Sequence, residues 1–287
     1  MPRGLDHIVH AVRDLDAAAE LYRRAGFTVG ARNRHPWGTH NQLIQLPGFF
    51  IELLTVAEPE KLGSEGFSAL FGTFNRLFLK GHEGLSFLML ESQDAAADAA
   101  QFRAAKIAVS DVLHFEREGS RPDGGKVKVG FSLAFARDAR AKGIGFAACQ
   151  QHFPENFWNP AFQRHANTAS GVAGAVLVAE NPTDHHIFLS AFTGERELHA
   201  TSGTVIAPTP RGDIRVMDPT SFHTRFGVAA PDISAGARLA AVRIAVRDRA
   251  ALVVALAAGG IDFTSHMGAI IVAPEIAMGA MLVFECP

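Results

Sequence analysis

The sequence predicts an α+β protein built from four βαβββ modules paired into two cups. Three observations predict it: an apolar strand that runs into a capped helix, the return of that pair along the chain, and short β-rich segments after each copy. In "GLDHIVHAVRDLDAAAELYRRAGF" (4–27), the strand ends before Asp14, whose short carboxylate suits the free N–H groups of a helix start. Leu15, Ala18, Tyr22 and Ala25 share one helical face, Gly26 supplies a left-handed end, and Arg23 and Arg24 suit the C-terminal dipole. "FTVGARNRH", "THNQLIQL" and "FFIELLTV", parted by "PWG" and "PG", complete the module as three strands joined by tight turns.

Residues 245–263 repeat the helix with Asp248 on Asp14 and Gly260 on Gly26, an offset of 234, and strands follow as far as Glu285. Asp94 falls on Asp14 at an offset of 80, ahead of "VLHFEREG", "KVKVGFSLAFARD" and "IGFAACQQHF". The remaining copy, 171–194, precedes "RELHAT", "GTVIAPT" and "DIRVMDP". One helix covers one face of a four-stranded sheet and leaves the other open, so pairing two modules closes a cup, with a solenoid of stacked units as the alternative. The expected domains are residues 1–155 and 165–287, with "PENFWNPAFQRHANTAS" connecting them.

Lys+Arg total 27 against Asp+Glu 29 with no basic block, which argues against nucleic acid as a partner. The N-terminus has no secretory apolar region and every apolar run is interrupted by a polar residue, so a cytoplasmic protein with no membrane span is expected. Cys149 and Cys286 are too few for a disulfide scaffold and suit a reducing compartment. With 22 Phe but one Tyr, the core or a pocket should be lined by rings that carry no hydroxyl. No glycine-rich phosphate motif follows a strand, so a nucleotide cofactor is unsupported.

"LDHIVHAVRDLDAA" and "GFTVGARNRHPWGTHNQLIQLPGFFIELL", with the fourfold βαβββ count, resemble the vicinal oxygen chelate superfamily, in particular its glyoxalase-like domain proteins. The superfamily includes glyoxalase I, bleomycin-resistance proteins and extradiol dioxygenases. The resemblance implies glyoxalase-like cups and a divalent metal (Zn, Ni, Mn or Fe), held by His, Glu or Gln on the first and last strands of the modules. The matching positions are His7 and Glu52.

An ionised Glu52 between Ile51 and Leu53 is costly to bury unless a positive partner meets it, and a metal shared with His7 would satisfy both. By alternation, His10 faces the helix and is structural. The other modules place Phe87, Ala241 and about Gly174 at the position of His7, so the second cup is expected to lack a metal, with Glu285 solvated near the chain end. Aligning "GFFIELLTV" with "GFAACQQHF" puts Cys149 on Glu52 and leaves Gln151 and His152 as alternatives for a third ligand. Alternation favours Gln151, and a bulge at the strand end would favour His152. His82 and His165 are weaker candidates, and His185 and His186 point apart. "RPDGGK" is expected to be a hairpin turn whose Arg121 and Lys126 are solvated or reach an anionic substrate.

The function that follows is a metal-dependent lyase, isomerase or dioxygenase acting on a small substrate that chelates the ion through adjacent oxygens. In a glyoxalase-type reaction, Glu52 would also carry the proton. The alternative is a metal-free sequestration protein like those of bleomycin resistance. Whether each cup forms within one chain or across a homodimer stays open.

Overall fold

The computed structural model describes residues 1–120 and 125–286. The first module is β1 (Leu5–Ala11), α1 (Leu15–Arg24), β2 (Asn33–Arg34), β3 (Thr39–Leu46) and β4 (Phe49–Val56). A π-helical turn (Ser68–Thr73) and α2 (Phe74–Gly81) lead to the second: β5 (Gly84–Glu91), α3 (Ala95–Ala104), β6 (Leu113–Ser120), β7 (Lys126–Ala136) and β8 (Gly145–Gln151). After α4 (Pro154–Phe157) comes the third: β9 (Ala169–Val178), α5 (His186–Thr193), β10 (His199–Ala200), β11 (Thr204–Pro208) and β12 (Asp213–Met217). Then α6 (Pro219–Phe226) precedes the fourth: β13 (Arg238–Val246), α7 (Arg249–Ala258), β14 (Thr264–His266), β15 (Ala269–Val272) and β16 (Met281–Glu285).

Two eight-stranded sheets result, in the orders β2-β3-β4-β1-β5-β8-β7-β6 and β10-β11-β12-β9-β13-β16-β15-β14. Each joins two modules at an antiparallel seam, β1 with β5 and β9 with β13. Asp14, Asp94 and Asp248 each accept first-turn N–H groups, as their shared spacing predicts. β2 is shorter than its sequence suggests because it lies at a sheet edge, where Gly30 adds a single N–H to the Leu43 carbonyl.

The outer faces of both sheets and α1, α3, α5 and α7 share one apolar core. His10 belongs to it, as expected: Nδ1 accepts from the Tyr22 hydroxyl at 3.1 Å and Nε2 donates to the Met278 carbonyl at 3.0 Å, joining the two halves. Burial pushes His10 down to about 4. His165 is also structural, since it accepts from the Thr28 N–H and donates to the Gln45 carbonyl. His185 is buried against Asp138 while the adjacent His186 is exposed, and His82 packs at a tilt against Phe78.

The segments that join the two modules of each cup are helical, and their rings fill the cups. Phe71 and Phe74 enter the first cup against Phe87. In the second cup, Phe222 and Phe226 of α6 pack among Val176, Ala241 and Val283.

The second cup carries no ligand at either position equivalent to His7, which are Gly174 and Ala241. Glu285 corrects the sequence expectation: it is not solvated but paired with Arg243, through Nε–Oε1 at 3.0 Å and Nη2–Oε2 at 2.8 Å. Arg243 Nη1 also meets Asp213 at 2.5 Å. Gly174 makes room for this cluster, since a Cβ there would lie 2.7 Å from Arg243 Nη1. Arg121 lies outside the described residues, and Lys126 is exposed and paired with Glu118 at 3.1 Å.

Two stability predictions follow from these contacts. Arg243→Met removes the buried cation that Asp213 and Glu285 share and leaves them only the more exposed Arg215 and Arg225, which should cost about 2 kcal/mol in chemical denaturation. His10 titrates at 6.5 when unfolded and about 4 when folded, so it supports the fold above 6.5 and loses that support as pH falls toward 4. Wild type should therefore lose up to about 3 kcal/mol more than His10→Gln over that interval, measured by denaturant midpoints at each pH.

Candidate functional site in the first cup

The first cup holds a cavity of about 80 Å³ whose lining includes His7, Glu52, His35, Asn41, Arg117 and Cys149. Between these polar groups stand Trp37, Phe50, Phe67, Phe71, Phe115, Phe131 and Phe157, so the wall is made of rings without hydroxyls. The single Tyr lies in the core beneath α1 instead.

β1 and β4 are parallel neighbours, with His7 opposite Phe50 and Glu52 two residues further along the same face. His7 stacks on Phe50, ring centroids 4.2 Å apart. Its Nδ1 meets Asp6 Oδ2 at 2.5 Å, and its Nε2 stands 4.0 Å from Glu52 Oε2. With the proton on Nδ1 and donated to Asp6, the atoms facing each other across that gap are both acceptors.

Asp6 was not singled out in the sequence, because strict alternation turns it away from His7. The register of β1 against β5 shifts between Leu5 and His7, and the extra residue of that irregularity is Asp6. Its second oxygen accepts from Gln151 Nε2 at 2.9 Å, while Gln151 Oε1 is buried without a partner. One ligand atom each from Asp6, His7 and Cys149 lies within 4.8 Å of the others. Burial pushes the Cys149 thiol up, as do the charges of Asp6 and Glu52.

Glu52 is held by a directed chain of donors. Asn41 Nδ2 donates to Glu52 Oε1 at 2.5 Å, Asn33 Nδ2 to Asn41 Oδ1 at 3.0 Å, and Arg117 Nη2 to Asn33 Oδ1 at 3.2 Å. Asn33 and Arg117 lie on β2 and β6, the two edges of the sheet, so this chain closes the cup side to side. Burial raises the Glu52 carboxyl above its ordinary range, and His7, the Asn41 amide and Arg117 pull it back down. His35 is pushed down to about 3 by burial and by the neighbouring Arg117 and His40 charges, so it stands neutral beside Asn41.

The structure sets His7 and Glu52 together in the cavity wall, ties Gln151 to Asp6 beside His7, and leaves His152 apart. His152 Nε2 bonds Ser132 Oγ at 2.8 Å and its ring packs on His114 at 5.1 Å. Ser132 lies between the cavity-lining Phe131 and Leu133, which puts His152 on the outer face; alternation continues to the end of β8 without the bulge that would turn it inward. Asn33, Asn41, His35 and Arg117 left no sequence signal, because strands far apart in the chain assemble them.

The donor set suits a divalent ion. His7 Nε2 and Glu52 Oε2 offer an imidazole nitrogen and a carboxylate oxygen 4.0 Å apart, a little wider than the roughly 3.4 Å between two tetrahedral ligands at about 2.1 Å. Asp6, His7 and Cys149 offer a ligand atom each within 4.8 Å of one another. Asp6 supplies the carboxylate behind a ligating histidine.

No helix is long and apolar enough to cross a membrane among the described residues. A search of curated proteins found no match. Among solved structures, the chain is similar to a hypothetical protein from Staphylococcus aureus, with TM-score 0.68, 14% identity, and coverage of 99% of this chain and 100% of that one. It is also similar to a mutant 4-hydroxymandelate synthase from Streptomyces coelicolor, with TM-score 0.59, 10% identity, and coverage of 99% and 92%. A xylose isomerase-like TIM barrel/4-hydroxyphenylpyruvate dioxygenase fusion protein matches at TM-score 0.54 and 12% identity, with 99% of this chain aligned to 49% of that one. The family profile described as glyoxalase-like domain matches residues 5–193, from β1 through α5. With the paired βαβββ cups, this match means that the chain belongs to the glyoxalase-like domain family of the vicinal oxygen chelate superfamily.

Proposed function

We propose that the first cup is the active site of a metal-dependent enzyme acting on a small substrate that chelates through adjacent oxygens. One observation carries this reading: two acceptors, His7 Nε2 and Glu52 Oε2, face each other at 4.0 Å, each fixed from behind by its own partner. His7 and Glu52 would hold the ion, with Gln151 or Cys149 as third donor. A bound divalent cation supplies Lewis acidity toward a substrate oxygen that gains negative charge.

The chain's own residues do the rest. Asp6 fixes the His7 tautomer, and the aromatic wall excludes water. Glu52, whose carboxyl burial raises above its ordinary range, is the group placed to take and return a proton when its Oε2 swings off the ion. A lyase or isomerase reaction suits this donor set better than a dioxygenase reaction, because it holds one imidazole rather than two. The likeness in fold to the 4-hydroxyphenylpyruvate dioxygenase fusion protein keeps the dioxygenase branch within the test.

Phe87, at the position equivalent to His7 in the second module, favours the rival reading of a metal-free binding protein, since its ring fills that side of the cup. Metal analysis of protein purified without chelator separates the two. Wild type should carry a stoichiometric divalent ion and His7→Ala should not, while His152→Ala keeps it. Asp6→Asn should weaken binding by about 10–100-fold in a calorimetric titration. Metal-free wild type that also fails to bind added Zn2+, Ni2+, Mn2+ or Fe2+ would leave the sequestration reading standing.

A further inference from the structure

We infer that the ligand of the first cup is an aromatic anion, a flat apolar body carrying a carboxylate that the Arg117 guanidinium receives at the neck of the cavity. This deepens the reading of the first cup as a small-molecule site. Among the described residues, Arg117 is the only Lys or Arg that lines the cavity. It also lines an outer groove, together with Leu43 and Phe157, so it stands where the enclosed space meets the approach from solvent.

Among the described residues, Arg117 has no carboxylate within ion-pair distance, unlike Arg243 in the second cup, which is paired with two. Its hydrogen bonds are a 3.2 Å contact to Asn33 Oδ1 and a long 3.4 Å contact to the carbonyl of Glu118. A guanidinium has five N–H donors in a rigid fork, so an edge suited to bidentate binding stays uncommitted. The Asn33 contact holds the fork in place and so lowers the ordering cost of binding.

The same wall selects the rest of the ligand. Trp37 is sandwiched between His35 at 4.7 Å and Phe67 at 5.0 Å, and Phe115, two residues before Arg117 on the same face of β6, meets it edge-on at 5.0 Å, so the wall near the guanidinium is a fixed aromatic cluster. A flat ring system gains area there without leaving a buried hydroxyl unpaired. A charged oxygen pair gains the Arg117 fork, a charge-assisted contact of about 1.5–3 kcal/mol, equivalent to roughly 10–100-fold in affinity.

The experiment uses the full chain with a chelator present, so that its outcome does not depend on metal. Calorimetry compares 2-naphthoate with the neutral, equally shaped 2-naphthamide. Wild type should bind the carboxylate at least about tenfold more tightly. Arg117→Met should bring naphthoate and naphthamide to equal affinity, a ratio within one variant that cancels any change in how the cup closes. Arg117→Lys should recover only part of the preference, because it keeps the charge and loses the fork. Equal binding of the two probes, naphthoate binding indifferent to Arg117→Met, or no binding of naphthoate by wild type would each overturn the inference. Failure of the metal assay with the naphthoate preference intact would overturn the enzymatic reading alone.

Discussion

A carboxylate placed in an apolar strand dictates most of what surrounds it. Glu52 is buried between Ile51 and Leu53, and withdrawing its charge from water costs several kcal/mol unless donors or cations replace the solvent. The first cup answers with two amides and a guanidinium in series, each donating toward Glu52, and with His7 beside it. Because the series runs from one sheet edge to the other, the residues that compensate the charge also hold the cup closed.

The two cups share a strand order and differ in how they treat their interiors. In the second, Arg243 meets Glu285 and Asp213 directly and α6 packs its Phe222 and Phe226 into the remaining space. Charge and volume are both satisfied internally, so nothing further is required of that cup. In the first, the π-helical turn and α2 fill one side only, the carboxylate faces an imidazole rather than an arginine, and a cavity remains. Duplication has left one half to secure the fold through a shared core, while the other keeps polar groups whose remaining valences point into empty space.

Much of this was legible in the chain because local physics fixes it. The helix caps at Asp14, Asp94 and Asp248 need only a short acceptor before an apolar face, so their spacing exposed the repeat. His7 and Glu52 could be placed on one wall from alternation and strand adjacency, and the same alternation placed Gln151 inward and His152 outward. The irregularity at Asp6 was invisible, since a register shift depends on the partner strand. Arg117, Asn33 and Asn41 were invisible too, because only the curl of the sheet brings its edges together. The intermodule helix does carry a sequence signal: Phe67, Phe71, Phe74 and Phe78 recur at helical spacing.

The direction of the donor series has a consequence for the site's rigidity. Asn41 accepts from Asn33 and donates to Glu52, and Asn33 accepts from Arg117 and donates to Asn41, so reversing either amide would break two bonds at once. The amides are therefore locked by the charges at their ends, positive at Arg117 and negative at Glu52. That lock fixes which Glu52 oxygen is engaged and which faces the cavity. It also holds the guanidinium in one orientation at the neck. A lysine in its place would preserve the charge without the fork, and the series would lose the planar donor that aligns it.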